Sequence, residues 1–587
     1  MDSMQTDIQE LILKGIPASP GIAIGTAYVY SKHVPLVSIK TVVPAEVDAE
    51  IDRLRAANIR AEKELQKILS FAEQKLGSQS AKIFEAQIMI LNDAILMGAI
   101  ERRIREELKN AEFIVLDEIG KYKRLMLAAP DEYMHERAHD VDDVMNRIIR
   151  NIQDQKLFSR LEGESIIISE TLAPADTVIF SRNQILGYAT DFGGTTSHAA
   201  LLSRSLKIPA VVGLRSATKN IRTGDPIAID GYGGILVLRP TEETLQGLRR
   251  KQQRFRDFEQ HLVAISGLAA ETRDHRQIEL SANIEFLEEA EFSRDQGAAG
   301  IGLFRTEGQL MGRATFPDEE EQFQEYDAVA AAIHPHPVIF RTFDIGGDKL
   351  APDAQREDNP FLGWRGIRVF LDRPAAFLPH LRALLRASTR RNVRIMFPMI
   401  SSVAEVRSAR ALIEEAQRDL ETKGLPFDHN LQIGVMIEVP SAALQAEEIA
   451  REVDFLSIGT NDLIQYLLAV DRGNSAVAPL FQPFHPAVLR TIRSIITAGH
   501  KHNRWVGMCG EMAGDPLATI PLVGMGLDEF SVIPSLLPEI KEIIRSIRYR
   551  DAKRTAERVL TLTTEAEIRT TLAEALRTVL PEIPLEE

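Results

Sequence analysis

The sequence predicts a multidomain α/β protein, with a (β/α)8 barrel at the C-terminus and, at the N-terminus, a small α/β domain carrying an inserted all-helical subdomain. Three observations predict it. The hydrophobic period changes from strand-like to helical near residue 40 and returns near residue 165; short apolar runs alternate with helical text from residue 273 onward; and several of those runs end on charged or reactive residues. A length of 587 residues has room for roughly three or four domains. With 44% hydrophobic and 26% charged residues, the composition is that of a globular chain.

The N-terminal elements follow in order. "GIAIGTAYVY" reads as a glycine-opened strand. From Ala45 to about Gln153 glycine and proline nearly vanish, and "EVDAEIDRLRAANIRAEKELQKILSFAEQKL" and "AKIFEAQIMILNDAILMGAIERRIREEL" repeat apolar residues at three and four, the period of amphipathic helices. From Ser165 the short runs "SIIIS", "ILGYATD", "PAVVG", "PIAID" and "GILVL" return as strands between glycine, proline and aspartate turns. Residues 1–40 and 154–240 are therefore expected to form one α/β domain around a helical insertion at 41–153, with a charged helical linker at 241–272.

Residues 273–587 carry eight strand candidates: 278–284, 300–307, 337–344, 394–400, 433–440, 454–462, 505–511 and 529–534. Eight strand–helix units in this length are the signature of a (β/α)8 barrel; a doubly wound open sheet is the alternative, because periodicity does not report closure. The barrel is favoured by the run ends, which carry Arg305-Thr306-Glu307, Arg341 with Asp344, Glu438, Asn461-Asp462, and Cys509 with Glu511. In a barrel such ends converge on one face.

Those residue types define a chemistry. Glu438 and Asp462 offer oxygen ligands suited to a hard ion such as Mg2+, and Arg305, Arg341, Arg365, Arg472 and Lys349 suit a small anion bearing both phosphate and carboxylate. Taken singly, each arginine beside an acid reads as a structural ion pair and Cys509 as a small buried side chain; their shared position at strand ends makes them a site, with Cys509 a candidate proton donor. A second centre is "GGTTSHAALLSRSLKIPAVVG", where two glycines permit a turn, Thr196 or Ser197 can cap a helix, and His198 stands at its start. A helix N-terminus favours an anion, so a phosphoryl group on a nucleophilic His198 would be stabilised there; the alternative is a capping or buried histidine. Global properties exclude other classes. The net charge of −15 argues against a nucleic-acid binder, no apolar stretch is long enough for a membrane span, and no secretory leader precedes the first strand, so a cytoplasmic protein is expected. The single cysteine rules out an internal disulfide.

"TDFGGTTSHAALLSRSLKIPAVVG" resembles the phosphohistidine domain of the phosphoenolpyruvate (PEP)-utilising enzymes, and "GIGLFRTE", "RTFDIGGDK", "NPFLGWRGIR", "IGVMIEVP", "SIGTNDLIQYLLAVDRGN" and "GMCGEMAGDP" are similar to their PEP-binding barrel. Within that family the motifs look like the Enzyme I group of the bacterial sugar phosphotransferase system. The resemblance spans nearly the whole chain, from "GIPASPGIAIG" onward. It implies a phosphotransferase that moves the phosphoryl group of PEP to its own histidine, releases pyruvate, and passes the group to a histidine of the carrier protein HPr. It further implies a swivelling phosphohistidine domain, an HPr-binding helical insertion, a barrel-mediated homodimer and Mg2+ as cofactor. His198 would attack phosphorus, with Thr177 hydrogen-bonding its imidazole. Arg305, Arg341, Asn461 and Lys349 would hold the phosphate, Arg472 the carboxylate, and Glu438 and Asp462 the metal, while Cys509 would protonate C3 of the enolate. The sequence departs from the Enzyme I pattern at Thr195, where an arginine is usual, at Gly308 and Gln309, where larger apolar residues are usual, and in "FEAQIMILNDAIL", which lacks a histidine and some acids common in that helix. The alternatives are another PEP-utilising enzyme, of the PEP synthase or pyruvate phosphate dikinase kind, and a non-catalytic PEP sensor. The first calls for an ATP-binding domain that the text upstream of residue 40 leaves no room for, and the second for a damaged site.

Overall fold

The computed structural model describes the chain apart from residues 1–9, 31–36, 129–131, 155–164, 173–175, 178–179, 181–184, 195–197, 311–312, 314, 347–356, 358, 473, 475, 582 and 584–587, and apart from the side chains of residues 71–83, 86, 122, 125–128, 132–140, 198–199, 201 and 205. It divides into two compact units, with the boundary between Phe255 and Arg256.

In the first unit, four helices form the block predicted by the helical text: α1 (Val47–Leu91), α2 (Ala94–Glu107), α3 (Ala111–Ala128) and α4 (Glu132–Ile152). Val47, Ile51, Leu54, Ala57, Ala61, Leu65 and Ile68 recur at three and four along α1, so they form one stripe, and this stripe is buried in the cluster shared with Ile114, Val144 and Ile148. Asp93 ends the α1–α2 turn by accepting from the backbone N–H of Ile95 (2.8 Å) and Leu96 (3.0 Å), an N-cap that satisfies two orphan donors. Arg53 ties the block together, bonding Glu50 on its own helix and Glu112 on α3.

The rest of this unit is an eight-stranded sheet. Its strands are β1 (Leu11–Lys14), β2 (Ile16–Ser19), β3 (Ile22–Tyr30), β4 (Ser165–Ser169), β5 (Gly187–Thr190), β6 (Ala210–Val212), β7 (Pro226–Asp230) and β8 (Ile235–Leu238), in the order β1-β8-β7-β3-β4-β5-β6-β2. The β3–β4–β5–β6 run is parallel and the remaining pairs are antiparallel. "SIIIS" shows why the middle is stable: Ile166 and Ile168 enter one apolar cluster and Ile167 another, so this strand is covered on both faces. Both edge strands, β1 and β2, escaped the sequence reading.

The second unit holds the barrel. Strands β9 (Glu279–Ile284), β10 (Ile301–Arg305), β11 (Val338–Arg341), β12 (Val393–Phe397), β13 (Gln432–Ile437), β14 (Phe455–Ile458), β15 (Trp505–Met508) and β16 (Glu529–Val532) are all parallel and close through β16–β9. The eight predicted strands are those observed, and closure decides against the open sheet. Alternation separates two cores. Val338 and Phe340, and likewise Ile433, Val435 and Ile437, pack outward into the large helix-covered cluster. Leu303, Ile339, Met396, Met436, Phe455 and Cys509 form a separate cluster that fills the barrel interior.

Candidate active site

Period-two alternation places the site. If Leu303, Ile339 and Met436 face inward, so do Arg305, Arg341 and Glu438 two residues later, at the C-terminal mouth. Arg305 and Arg341 are register partners on β10 and β11. Arg305 is exposed and Arg341 buried, as are Glu307, Asp344, Arg365 and Glu438.

These buried charges form one network. Arg341 Nη2 lies 3.0 Å from Glu307 Oε1, and the same oxygen accepts the Asp344 backbone N–H at 2.5 Å. Asp344 Oδ2 stands 3.5 Å from Arg341 Nη1 and 2.8 Å from Arg365 Nη2, while Arg365 Nη1 reaches Asp462 Oδ1 at 3.3 Å and the Tyr466 hydroxyl at 3.3 Å. Burial works against the charge on Arg341, but Glu307 and Asp344 outweigh it and hold the guanidinium above its ordinary range. Arg365 is held up in the same way by Asp344 and Asp462.

Glu438 sits at the centre. Its Oε1 accepts the Met399 backbone N–H at 2.6 Å, and a Cβ on Gly459 would come within 2.9 Å of Oε2, so only glycine lets the β14 turn pass so close to this carboxylate. Burial, then the carboxylates of Asp462 and Asp344, push its pKa well up. Glu307, Asp344, Glu438 and Asp462 interleave here with Arg341 and Arg365. A buried carboxylate raised in this way, with that of Asp462 beside it, fits a hard divalent cation. Among the described residues no group of three or more His, Cys, Asp or Glu side chains is placed to hold a metal, so protein ligation would rest on a pair.

The other rim follows β14 and β15. Asn461 opens the helix Thr460–Leu468 and bonds Glu511 twice: Nδ2 donates to Oε1 at 3.0 Å and Oδ1 accepts the Glu511 N–H at 2.8 Å. Arg472 Nη1 reaches the same Oε1 at 3.1 Å. Cys509 is buried in the lumen; Ser457 Oγ lies 3.4 Å from its Sγ, and Asn283 Nδ2 donates to its carbonyl at 3.0 Å. Burial pushes the thiol up to about 11, against the Ser457 hydrogen bond, so the sulfur keeps its proton throughout the neutral range.

The structure thus brings Arg305, Arg341, Arg365, Glu438, Asn461, Asp462, Arg472 and Cys509 to one end of one barrel. Lys349 lies outside the described residues. In the first unit, His198 opens the helix His198–Ser205, as the apolar spacing predicted; its side chain, and residues Thr195, Thr196 and Ser197, lie outside the description. Thr177 is fully buried. Sequence reasoning missed Ser457, Asn283, Tyr466 and the Met399 N–H. Inward phase was the available signal for Ser457 and Asn283. The departure at Gly308 has a packing reason: a Cβ there would lie 3.0 Å from the Phe286 ring and 3.2 Å from the Glu285 carbonyl.

The network carries a stability prediction. Asp344→Asn keeps the shape but removes the charge shared by Arg341 and Arg365, and should destabilise the barrel by about 3 kcal/mol, the low end for breaking a buried pair because Glu307 and Asp462 remain. Denaturant unfolding measures it. Arg407→Ala, which breaks the exposed Arg407–Glu452 pair, should leave the transition unmoved.

Comparison with known proteins places this geometry. The PEP-binding domain of PEP-utilising enzymes matches residues 260–549, their N-terminal domain residues 14–137 and their mobile domain residues 161–234. The chain is 42% identical to the phosphoenolpyruvate-protein phosphotransferase of Geobacillus stearothermophilus, over 96% of this chain and 98% of that one. It is 40% identical to the protein of the same name from Haemophilus influenzae, over 96% and 99%. The NMR solution structure of an Enzyme I (nEIt) protein is 39% identical with a TM-score of 0.38, and the match covers 42% of this chain and 99% of that one. Identity of this depth along nearly the full length of both partners establishes that the chain belongs to the PEP-utilising enzyme family, among the phosphoenolpyruvate-protein phosphotransferases.

Proposed function

We propose that the protein transfers the phosphoryl group of PEP to His198, releases pyruvate, and passes the group to a histidine of an HPr-type carrier as the first step of a sugar phosphotransferase system. The observation that carries this reading is the barrel mouth, where guanidiniums, the raised Glu438 carboxyl beside Asp462, and a protonated thiol converge. Phosphoryl transfer asks for positioning and charge compensation more than covalent help. Arg305 and Arg341 hold the phosphate with Asn461 and Lys349, Arg472 holds the carboxylate, and Arg365, already bonded to Asp344 and Asp462, adds its charge at the same point. Glu438 and Asp462 are the residues that would hold Mg2+, which when bound neutralises charge on the phosphate and the enolate. His198 Nε2 forms the P–N bond as the P–O bond to the enolate breaks, with Thr177 orienting the ring. Cys509 then gives its S–H proton to C3.

Carrier docking falls to the helical block, where Met89 and Ile95 flank the α1–α2 turn and are 74% and 86% exposed, apolar side chains offered to a protein partner. Dimerisation falls to the barrel, whose exposed Leu362, Leu444 and Leu480 support it. The reaction is placed in the cytoplasm, where PEP and its carrier meet. Incubation with 32P-PEP and Mg2+ should label this chain, and added HPr-type carrier should drain the label. A chain that takes up no label ends the proposal.

A further inference from the structure

We propose that Glu511 is a built-in stand-in for a substrate anion, so that PEP enters by exchanging its own oxygen for the Glu511 carboxylate. The inference rests on the functional reading above and adds to it a residue that sets the affinity of the site.

The geometry is that of an occupied anion site. A single oxygen, Glu511 Oε1, accepts from both Asn461 Nδ2 at 3.0 Å and Arg472 Nη1 at 3.1 Å. These are the two side chains at this rim that would grip the phosphate and the carboxylate of PEP. The anionic oxygen on which these two donors converge is what an entering ligand would otherwise supply.

The two halves of the Asn461–Glu511 clasp differ in permanence. The backbone N–H of Glu511 donates to Asn461 Oδ1 at 2.8 Å, and a backbone bond at the start of the turn Glu511–Gly514 stays when the side chain swings away. It fixes the amide so that Nδ2, the donor, keeps facing the site. The carboxylate half is free to leave. The Glu511 side chain is 79% exposed and that of Arg472 43%, so the carboxylate exchanges into water without a desolvation cost.

Competition of this kind weakens every anion that uses the pair, substrate and product alike. It also returns to displace pyruvate after transfer. An exposed ion pair of this type is worth about two- to fivefold in a competing equilibrium.

The test uses the full-length protein with Mg2+, following isotope exchange between PEP and pyruvate. Glu511→Gln should lower the apparent KM for PEP by about two- to fivefold, and the apparent constant for pyruvate by the same factor. Glu511→Asp keeps the charge but is one carbon shorter and loses both bonds to Oε1, so it should lower KM as well. A Glu511→Gln KM that is unchanged or raised overturns the inference. So does a Glu511→Asp variant that behaves as wild type, since the carboxylate would then act only as background charge. Calorimetric binding of oxalate to Glu511→Ala gives a reading independent of turnover: tighter binding supports the stand-in, equal or weaker binding removes it. Wild-type protein that binds oxalate but exchanges no label would instead count against the phosphotransfer reading.

Discussion

His198→Ala is expected to abolish retention of label from 32P-PEP while PEP binding to the barrel stays within about twofold of wild type, because the substitution removes the attacking nitrogen and none of the groups that hold the substrate. His198 is the first residue of the helix His198–Ser205, and Gly193 upstream adopts a φ of +123°, a conformation open to glycine. A phosphoryl group on the ring would lie at the end of the helix where unpaired N–H groups and the positive pole gather. The bond formed is P–N, labile in acid and durable in alkali, unlike a phosphate ester on serine or threonine. Gel autoradiography after acid and after alkali therefore identifies the acceptor chemically as well as by substitution. Label that persists in the alanine variant, or survives acid in wild type, would exclude His198.

How much of this was legible in the sequence depended on whether the information was local. "SIIIS" could be read as a strand because three β-branched residues sit between turn signals, and both faces of β4 are buried. The α1 stripe was legible for the same reason. Closure was not, since it depends on β16 pairing with β9, Glu529 opposite Glu279, some 250 residues apart. The edge strands β1 and β2 were missed because Leu11, Ile12 and Ile16 are exposed and leave no alternating pattern. In the site, Arg305, Arg341, Glu438 and Cys509 stood out as charged or reactive residues at the ends of apolar runs. Ser457, Asn283 and Tyr466 are ordinary in composition and gain a role only through neighbours on other strands and loops. Glu511 stood out as a run-end acid beside Cys509, but its partners did not, since its bonds reach back 50 residues to Asn461 and 39 to Arg472.

Cys509→Ala is expected to slow formation of PEP from phosphorylated enzyme and pyruvate by about 10²–10⁴-fold, the range for loss of a positioned acid or base. In the forward direction the enolate leaves phosphorus with its electron pair, C3 takes the S–H proton, and a thiolate remains to be reprotonated. Burial holds that thiol up to about 11, so in wild type the donor is loaded throughout the neutral range and no fall in proton delivery is expected there. Leu303, Ile339, Met396, Met436 and Phe455 share the lumen cluster with it, and removing one sulfur costs roughly 1 kcal/mol. A rate loss of the predicted size therefore cannot come from unfolding. Stereochemistry separates the roles. With PEP carrying deuterium and tritium at C3, wild type should deliver hydrogen to a single face and give pyruvate with a chiral methyl group. The alanine variant should release enolpyruvate that ketonises in solution with both faces equal. Retained stereochemistry in Cys509→Ala would mean that another group at the mouth delivers the proton, and the thiol would then be a packing residue of the lumen.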